Sequence, residues 1–493
     1  MANPQPADRQ TFWAQLTEPR HVVSILIFYC LLNFVLRLAL SPNYLPGEAD
    51  QVLFGQSLRW GYLPAHPPLM TWLSWAVLQA SQQSHVAYVF LREVLMALML
   101  ATYFRAGRAV IGDVRLAAFA AFTLVTTFAF GWMAHLESMQ NVLLSLMLAL
   151  YLWADANVIA HASTRDYAAL GIVAGLGVLT SYIFLILPIA LWLARIAVPG
   201  IRARLKPLPL LLALAIALVI VAPYEILGQV QAAGGGHSNI GRSAGILGVH
   251  LIGLVLPYAL IFPFLFANAC RPLARDEDDK RLWLKLYDVA MMVAAASVIV
   301  LLFVLDFKTL KGAWFYPAAM LLPIYLFQRA RIAGWAESHG KIYVLIVLGV
   351  ALLSMGGRVA VYETQGEHCR ECSPWWPMRE YQGSLQRIGF QQGTIVAPTR
   401  VLAGNLRGVF TDARVMTPGA SPQIFGDAAP GQCLVVWEGQ GAAPKAVLGY
   451  LSTALHANAK LEAERGDIFA RLLKTKSHMA TLSYMLMPPG ICN

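Results

Sequence analysis

Two carboxylates, Glu48 and Asp50, stand in the stretch "LPGEADQVLFGQSLRWGYLPAHPPL" (45–69), directly after the first long apolar run, and Arg59 and His66 follow them. An ionised carboxylate beside a substrate can take a proton or support a positive charge, while Arg and His can hold an anion. Pro46-Gly47 ends the apolar run. "EADQVLFGQSLRW" then sets Val52, Leu53, Leu58 and Trp60 among polar neighbours, which predicts a short helix lying in a membrane interface. Both acids fall at the N-terminal end of that helix, where its dipole favours the ionised form. "HPPLMTWLSWAVLQ" begins a second such helix, with Pro67-Pro68 fixing its entry.

Other residues of the same kinds lie far along the chain. Glu137 sits at the edge of a later apolar run, with Gln140 one turn on and on the same helix face. Ionisable groups inside a membrane are costly, so Glu137 counts as a site candidate. Glu225 in "APYEILG" reads as a terminal carboxylate reaching for water. The Gly-rich "AAGGGHSNIGR" (232–242) holds His237 and Arg242 and reads as an external linker, without the preceding strand that a phosphate cradle needs. Lys308 and Lys311 precede Trp314, Phe315 and Tyr316, which form an interfacial aromatic belt.

The elements that position these residues follow from composition. The chain has 493 residues, 58% hydrophobic and 13% charged, and its mean hydropathy is positive. Long apolar blocks alternate with short basic loops, the pattern of a polytopic membrane protein. The net charge of +10 belongs to those loops, and no basic stripe with interleaved aromatics points to nucleic acid. Eleven spans are expected, near 22–40, 86–104, 115–133, 138–154, 167–182, 183–197, 207–228, 246–268, 289–307, 314–328 and 342–361. The first is longer than a signal-peptide core and is read as uncleaved. A cytoplasmic N-terminus then places the basic clusters around Arg105, Arg202, Arg271 and Arg329 inside. Residues 41–85, 229–245, 308–313 and everything after Val361 share the opposite face.

After residue 361 the composition becomes that of a soluble domain. "GTIVAP", "ARVMTP", "QCLVVWEG" and "TLSYMLMPP" read as strands, and "TRVLAGNLRGVF" and "AAPKAVLGYLSTAL" as helices. The fold expected is mainly α, a polytopic membrane protein of about 11 transmembrane helices (1–361, with 41–85 as first external loop), and a small C-terminal α/β domain (362–493). Cys369, Cys372, Cys433 and Cys492 fall in that domain. Structural disulfides are the preferred reading, with three connectivities open; "CREC" also has the spacing of a redox pair or half a zinc site.

The order of carboxylate, "WGY" and "HPPL" after a first span resembles GT-C glycosyltransferases of the protein O-mannosyltransferase and lipid A aminoarabinose transferase group. "GWMAHLESMQNVLLSLMLALYLW", "GIVAGLGVLTSY" and "LKGAWFYP" extend the resemblance, and the "GTIVA", "LAGNLR" and "DARV" segments resemble the cap of a bacterial subgroup. Two departures stand out: Gly47 replaces the first acid of an Asp-Glu pair, and Ser181 occupies a position where Lys is common. The resemblance implies an integral bacterial inner-membrane glycosyltransferase acting at the periplasmic face. Its donor is a polyprenyl-phosphate-linked sugar, its acceptor an envelope component, and membrane lipids surround it. It implies catalysis by Glu48 first and Asp50 second, with His66, Arg242, Lys308 and Lys311 on the phosphate, Arg59 and Arg92 behind them, and Glu137, Gln140 and Trp314 binding substrate. No cofactor or tightly held metal is expected, although a divalent ion is compatible with the class. The rival readings are a lipid-linked glycan flippase, disfavoured by the lack of repeated halves, and a degenerate relative whose cap binds a partner.

Overall fold

The computed structural model describes residues 18–63, 67–136, 139–227, 252–253, 255–256, 258–271, 278–304, 312–365, 369, 372–427, 429–455, 463–475 and 478–492. Its longer helices are α1 Pro19–Leu40, α2 Pro46–Phe54, α3 Leu69–Ala80, α4 His85–Ile111, α5 Val114–Thr126, α6 Met139–His161, α7 Thr164–Thr180, α8 Ile186–Ala197, α9 Pro207–Leu227, α10 Asp278–Val304, α11 Tyr316–Ala333 and α12 Glu337–Gln365. Among the described residues six helices are long and apolar enough to cross a membrane, or seven if the bent pair Val114–Thr126 and Phe128–His135 forms one span.

The straight span expected over 115–133 is instead two helical segments, Val114–Thr126 and Phe128–His135, bent by 69°. Thr127 takes an extended conformation, and its hydroxyl accepts from the Phe130 N–H to start a tight turn. Gly131 makes the fold-back possible, since a Cβ there would lie 2.1 Å from the Val125 carbonyl oxygen. The break turns His135 back into the bundle, where it is buried. The run 167–197 is two helices, parted at Ser181, whose hydroxyl accepts from Ile183 N–H at 3.3 Å. Of the expected span 246–268, residues 246–251, 254 and 257 lie outside the described residues.

The C-terminal domain contains α13 Met378–Arg387, β1 Gly393–Val396, α14 Arg400–Val409, β2 Arg414–Met416, β3 Gln432–Glu438, α15 Lys445–Ala454, β4 Glu464–Arg471 and β5 Met479–Met487. Its sheet has the order β2-β1-β3-β5-β4. The β1 strand runs parallel to β2 and β3, whereas β5 is antiparallel to β3 and β4. The charged edge strand β4 and helix α13 escape sequence reading. Edge strands tolerate charge because one flank faces water, which erases the apolar signal. Disulfides join Cys369 to Cys372 and Cys433 to Cys492.

This domain is not a separate bead. Its hydrophobic core takes in Leu40 from the end of α1 and Leu45, Leu53, Phe54 and Tyr62 from the first external loop. Helix α14 lies on α2 so closely that a Cβ on Gly404 would stand 2.1 Å from the Ala49 carbonyl oxygen. Asn405 holds both backbone groups of Tyr44, accepting from its N–H at 2.9 Å and donating to its carbonyl at 3.0 Å. Gln56 donates to the Val415 carbonyl at 2.8 Å and accepts from its N–H at 3.0 Å, occupying the free edge of β2 as a further strand would. Asn43 donates to the carbonyls of Ser373 and Trp376. The helix expected to float in the interface is instead roofed by the cap.

Candidate functional site

Glu48 is the centre of what these contacts build. Pro46 opens α2 and places Glu48 at its third position, where the carboxylate accepts from the Leu45 N–H at 2.9 Å, the reciprocal half of a capping box. The side chain is fully buried. Arg37, near the end of α1, donates to it at 2.6 Å and turns its remaining N–H groups to the carbonyls of Ser41 and Asn43. Arg92 on α4 donates to the other oxygen at 2.8 Å. Burial alone raises the Glu48 pKa, but Arg37 and Arg92, with the hydrogen bonds from Arg37 and Leu45, more than reverse this and hold it at about 2. Both oxygens are committed, so as placed Glu48 is a fixed negative charge rather than the open, proton-accepting carboxylate expected from the sequence.

The charges continue inward. Arg92 also faces Glu93 at 3.3 Å, Glu93 faces His135 Nδ1 at 3.3 Å, and His135 Nε2 pairs with the Tyr29 hydroxyl at 3.0 Å. Arg358 on α12 donates to the side-chain oxygen of Asn33, whose amide nitrogen donates to the Tyr29 carbonyl at 2.8 Å. Arg92, Glu93, His135 and Arg358 are all buried. Among the described residues, Arg92 Nη2, Arg358 Nε and Glu93 Oε2 have no partner.

The other candidates are dispersed. Asp50 is one-third exposed and faces Arg400 of the cap at 3.2 Å. Arg59 is exposed and reaches Asp427 of the cap at 3.6 Å, while its carbonyl accepts from the Trp72 indole N–H. Gln140 donates to the Thr180 carbonyl at 3.0 Å, bracing α6 against the end of α7. Trp314 is half-buried against the bundle core. Its neighbour Tyr316 is buried with its ring against Phe130, so it belongs to the core rather than to an interfacial belt. Glu225 accepts from the Tyr182 hydroxyl at 2.9 Å. His66, Glu137, Arg242, Lys308 and Lys311 lie outside the described residues, as does His237.

Sequence reasoning noted Arg92 but missed Arg37, Glu93, His135 and Arg358. The available signal was ionisable residues inside apolar runs, "FVLRLAL", "FLREVLM" and "SMGGRVAVY", which are costly in lipid and face protein or water.

A bundle of apolar helices carries an acid on the first external loop, held by buried arginines, and an α/β cap that grips that loop; the proteins this chain is similar to are membrane glycosyltransferases of GT-C type. Residues 65–226 match the dolichyl-phosphate-mannose-protein mannosyltransferase family. The chain is 26% identical over 443 residues to the lipopolysaccharide core galacturonosyltransferase RgtA of Rhizobium johnstonii, covering 86% of this chain and 87% of that one. It is 25% identical over 427 residues to RgtB of the same organism, covering 82% and 84%. ArnT from Cupriavidus metallidurans shares the fold. Its undecaprenyl-phosphate-bound structure matches with a TM-score of 0.55 at 14% identity, covering 94% of this chain and 97% of that one. Its apo state matches at 0.58 and 13%, covering 94% and 98%.

Proposed function

We propose that the protein transfers a uronic acid from a polyprenyl-phosphate carrier to a lipopolysaccharide core acceptor, on the side of the membrane that carries the cap. The acceptor oxygen attacks the anomeric carbon, the bond from that carbon to the phosphate oxygen breaks, and the polyprenyl phosphate leaves with the electron pair. The observation that carries this reading is the buried cluster beneath the first external loop. Three guanidiniums, Arg37, Arg92 and Arg358, stand against two carboxylates, Glu48 and Glu93, with guanidinium N–H groups to spare. A fixed cationic surplus in a dry environment stabilises charge growing on a leaving phosphate, and needs no reorganisation to do so. The relatives named for galacturonosyl transfer supply the sugar class and acceptor, and the ArnT structure supplies the carrier.

In this scheme Glu48 is a positioning residue that locks Arg37 and Arg92. Asp50, part-exposed on the same helix and facing Arg400, takes the proton of the acceptor hydroxyl. His66, Arg59, Arg242, Lys308 and Lys311 meet the phosphate, and Glu137, Gln140 and Trp314 meet the sugar. The test is transfer of label from polyprenyl-phosphate galacturonic acid, with the corresponding neutral hexose as comparison, to purified core lipopolysaccharide. Label moves from the uronic donor in preference, and Asp50→Asn lowers turnover by roughly 10²-fold or more, as loss of a general base does. Wild-type turnover in Asp50→Asn would remove it as the base. Absence of transfer from every polyprenyl-linked sugar would overturn the function itself.

A further inference from the structure

A groove on the outer wall of the bundle is not used by the transfer reaction. Helices α1 and α12 form its sides and α5 its floor, where Phe119, Phe122 and Val125 are buried. Its volume is about 460 Å³, within the roughly 300–1,000 Å³ of ligand pockets. Phe28, Leu348 and Leu352 on its sides are more than half exposed, so the groove opens towards the surrounding lipid. Between Lys341 and Met355 it follows α12 for about 21 Å, somewhat more than the roughly 15 Å of hydrocarbon in one leaflet.

The groove is polar at one end. Arg115, Trp335, Glu337 and Lys341 close that end. Arg115 is part-exposed and stands 3.8 Å from Glu337, whereas Lys341 makes no ion pair among the described residues. Two cations against one acid leave a positive mouth on an apolar slot, with an aromatic ring at the level where tryptophans meet lipid headgroups. This mouth lies at the start of α5, which follows the last turns of α4 that carry Arg105 and Arg108. The lining also includes Tyr29, which bonds to His135 of the buried cluster.

We propose that this groove binds an anionic glycerophospholipid, with one acyl chain lying along α12 and the phosphate on Lys341 and Arg115. The polarity argues against the sugar donor as the occupant. A polyprenyl phosphate engaged at the proposed transfer site presents its phosphate near Glu48, at the other end of the spans. The lipid fills the seam between the first and last spans.

The test is lipid titration of the purified full chain, read by native mass spectrometry, with dioleoyl-phosphatidylglycerol, dioleoyl-phosphatidylcholine and undecaprenyl phosphate. Wild-type protein binds phosphatidylglycerol about fivefold more tightly than phosphatidylcholine, the effect of one cation beside an anionic lipid. Lys341→Ala brings the two towards parity, Lys341→Arg keeps the preference, and Leu348→Trp, which fills the slot from an exposed position, lowers occupancy of both. Equal binding by the wild type, or an unchanged preference in Lys341→Ala, would overturn the proposal. So would displacement of phosphatidylglycerol by undecaprenyl phosphate in a manner abolished by Leu348→Trp, which would give the groove to the prenyl chain. Increased phosphatidylglycerol uptake after removal of residues 1–17 would instead make that segment the native occupant. These readings do not depend on turnover, so they stand or fall separately from the transfer reaction.

Discussion

Gly404→Ala isolates the grip of the cap on the first external loop. A methyl group at this position would lie 2.1 Å from the carbonyl oxygen of Ala49, 2.6 Å from its carbonyl carbon and 2.7 Å from its Cα. Relaxed contacts between non-bonded heavy atoms begin near ~3.5 Å, so α14 and α2 must part by about 1 Å. All three obstructing atoms are backbone, and no rotamer relieves them. Overpacking of this kind costs about 1–3 kcal/mol. Separation also weakens the two Asn405 to Tyr44 hydrogen bonds one residue away, at about 1 kcal/mol each. The better helix propensity of Ala returns about 1 kcal/mol. The net loss of about 2–4 kcal/mol corresponds to roughly 30- to 900-fold faster amide exchange by local opening. Hydrogen exchange over residues 44–54 and 400–410 measures it, with turnover falling in parallel because Glu48 and its arginines are organised by the same loop. Gly383→Ala and Gly449→Ala are the controls. Both lie in cap helices with nothing within 4 Å of the added methyl, so they are neutral or stabilise by up to about 1 kcal/mol. Wild-type exchange and turnover in Gly404→Ala would refute the claim that the two helices must touch.

The two disulfides differ in worth. Cys433–Cys492 spans 59 residues and Cys369–Cys372 only 3, so chain-entropy reasoning gives about 4 kcal/mol for the first and under about 2 kcal/mol for the second. Paired Ser variants followed by thermal unfolding of the cap should reproduce that order, and the reverse order would refute it. The depressed Glu48 pKa has a definite sign. Its contribution to stability is complete above the ordinary carboxylate value of 4.5 and is lost as pH falls towards about 2. Unfolding curves between pH 5 and 3 should show this acid slope in the wild type and a flatter one in Glu48→Gln, and identical slopes would sink the ion-pair assignment. Gln56→Ala removes two hydrogen bonds that tie the loop to β2 and should cost about 1–3 kcal/mol of loop protection; unchanged exchange at Val415 and Gln56 would show the edge contact to be incidental.

Much of this molecule is written in local pattern. Apolar runs announce the long helices, and alternating strands such as "GTIVAP" and "QCLVVWEG" announce β1 and β3, because each pattern reflects which side of one element avoids water. Glu48 and Asp50 are conspicuous for the same reason, as acids where an apolar chain leaves lipid. Local pattern does not report partners. Arg37 and Arg92 reach Glu48 across 11 and 44 residues, and Arg358 reaches Asn33 across 325. Those meetings depend on how α1, α4 and α12 pack and on a break at Thr127 that delivers His135. The surroundings of Glu48 follow from those meetings. The sequence determined that a carboxylate would stand at the head of α2, since Pro46 and the capping position require nothing from the rest of the chain. Only the tertiary structure decided that this carboxylate is buried, shared by two guanidiniums and covered by a distant domain, because desolvation and charge pairing arise from neighbours that the chain brings together only by folding.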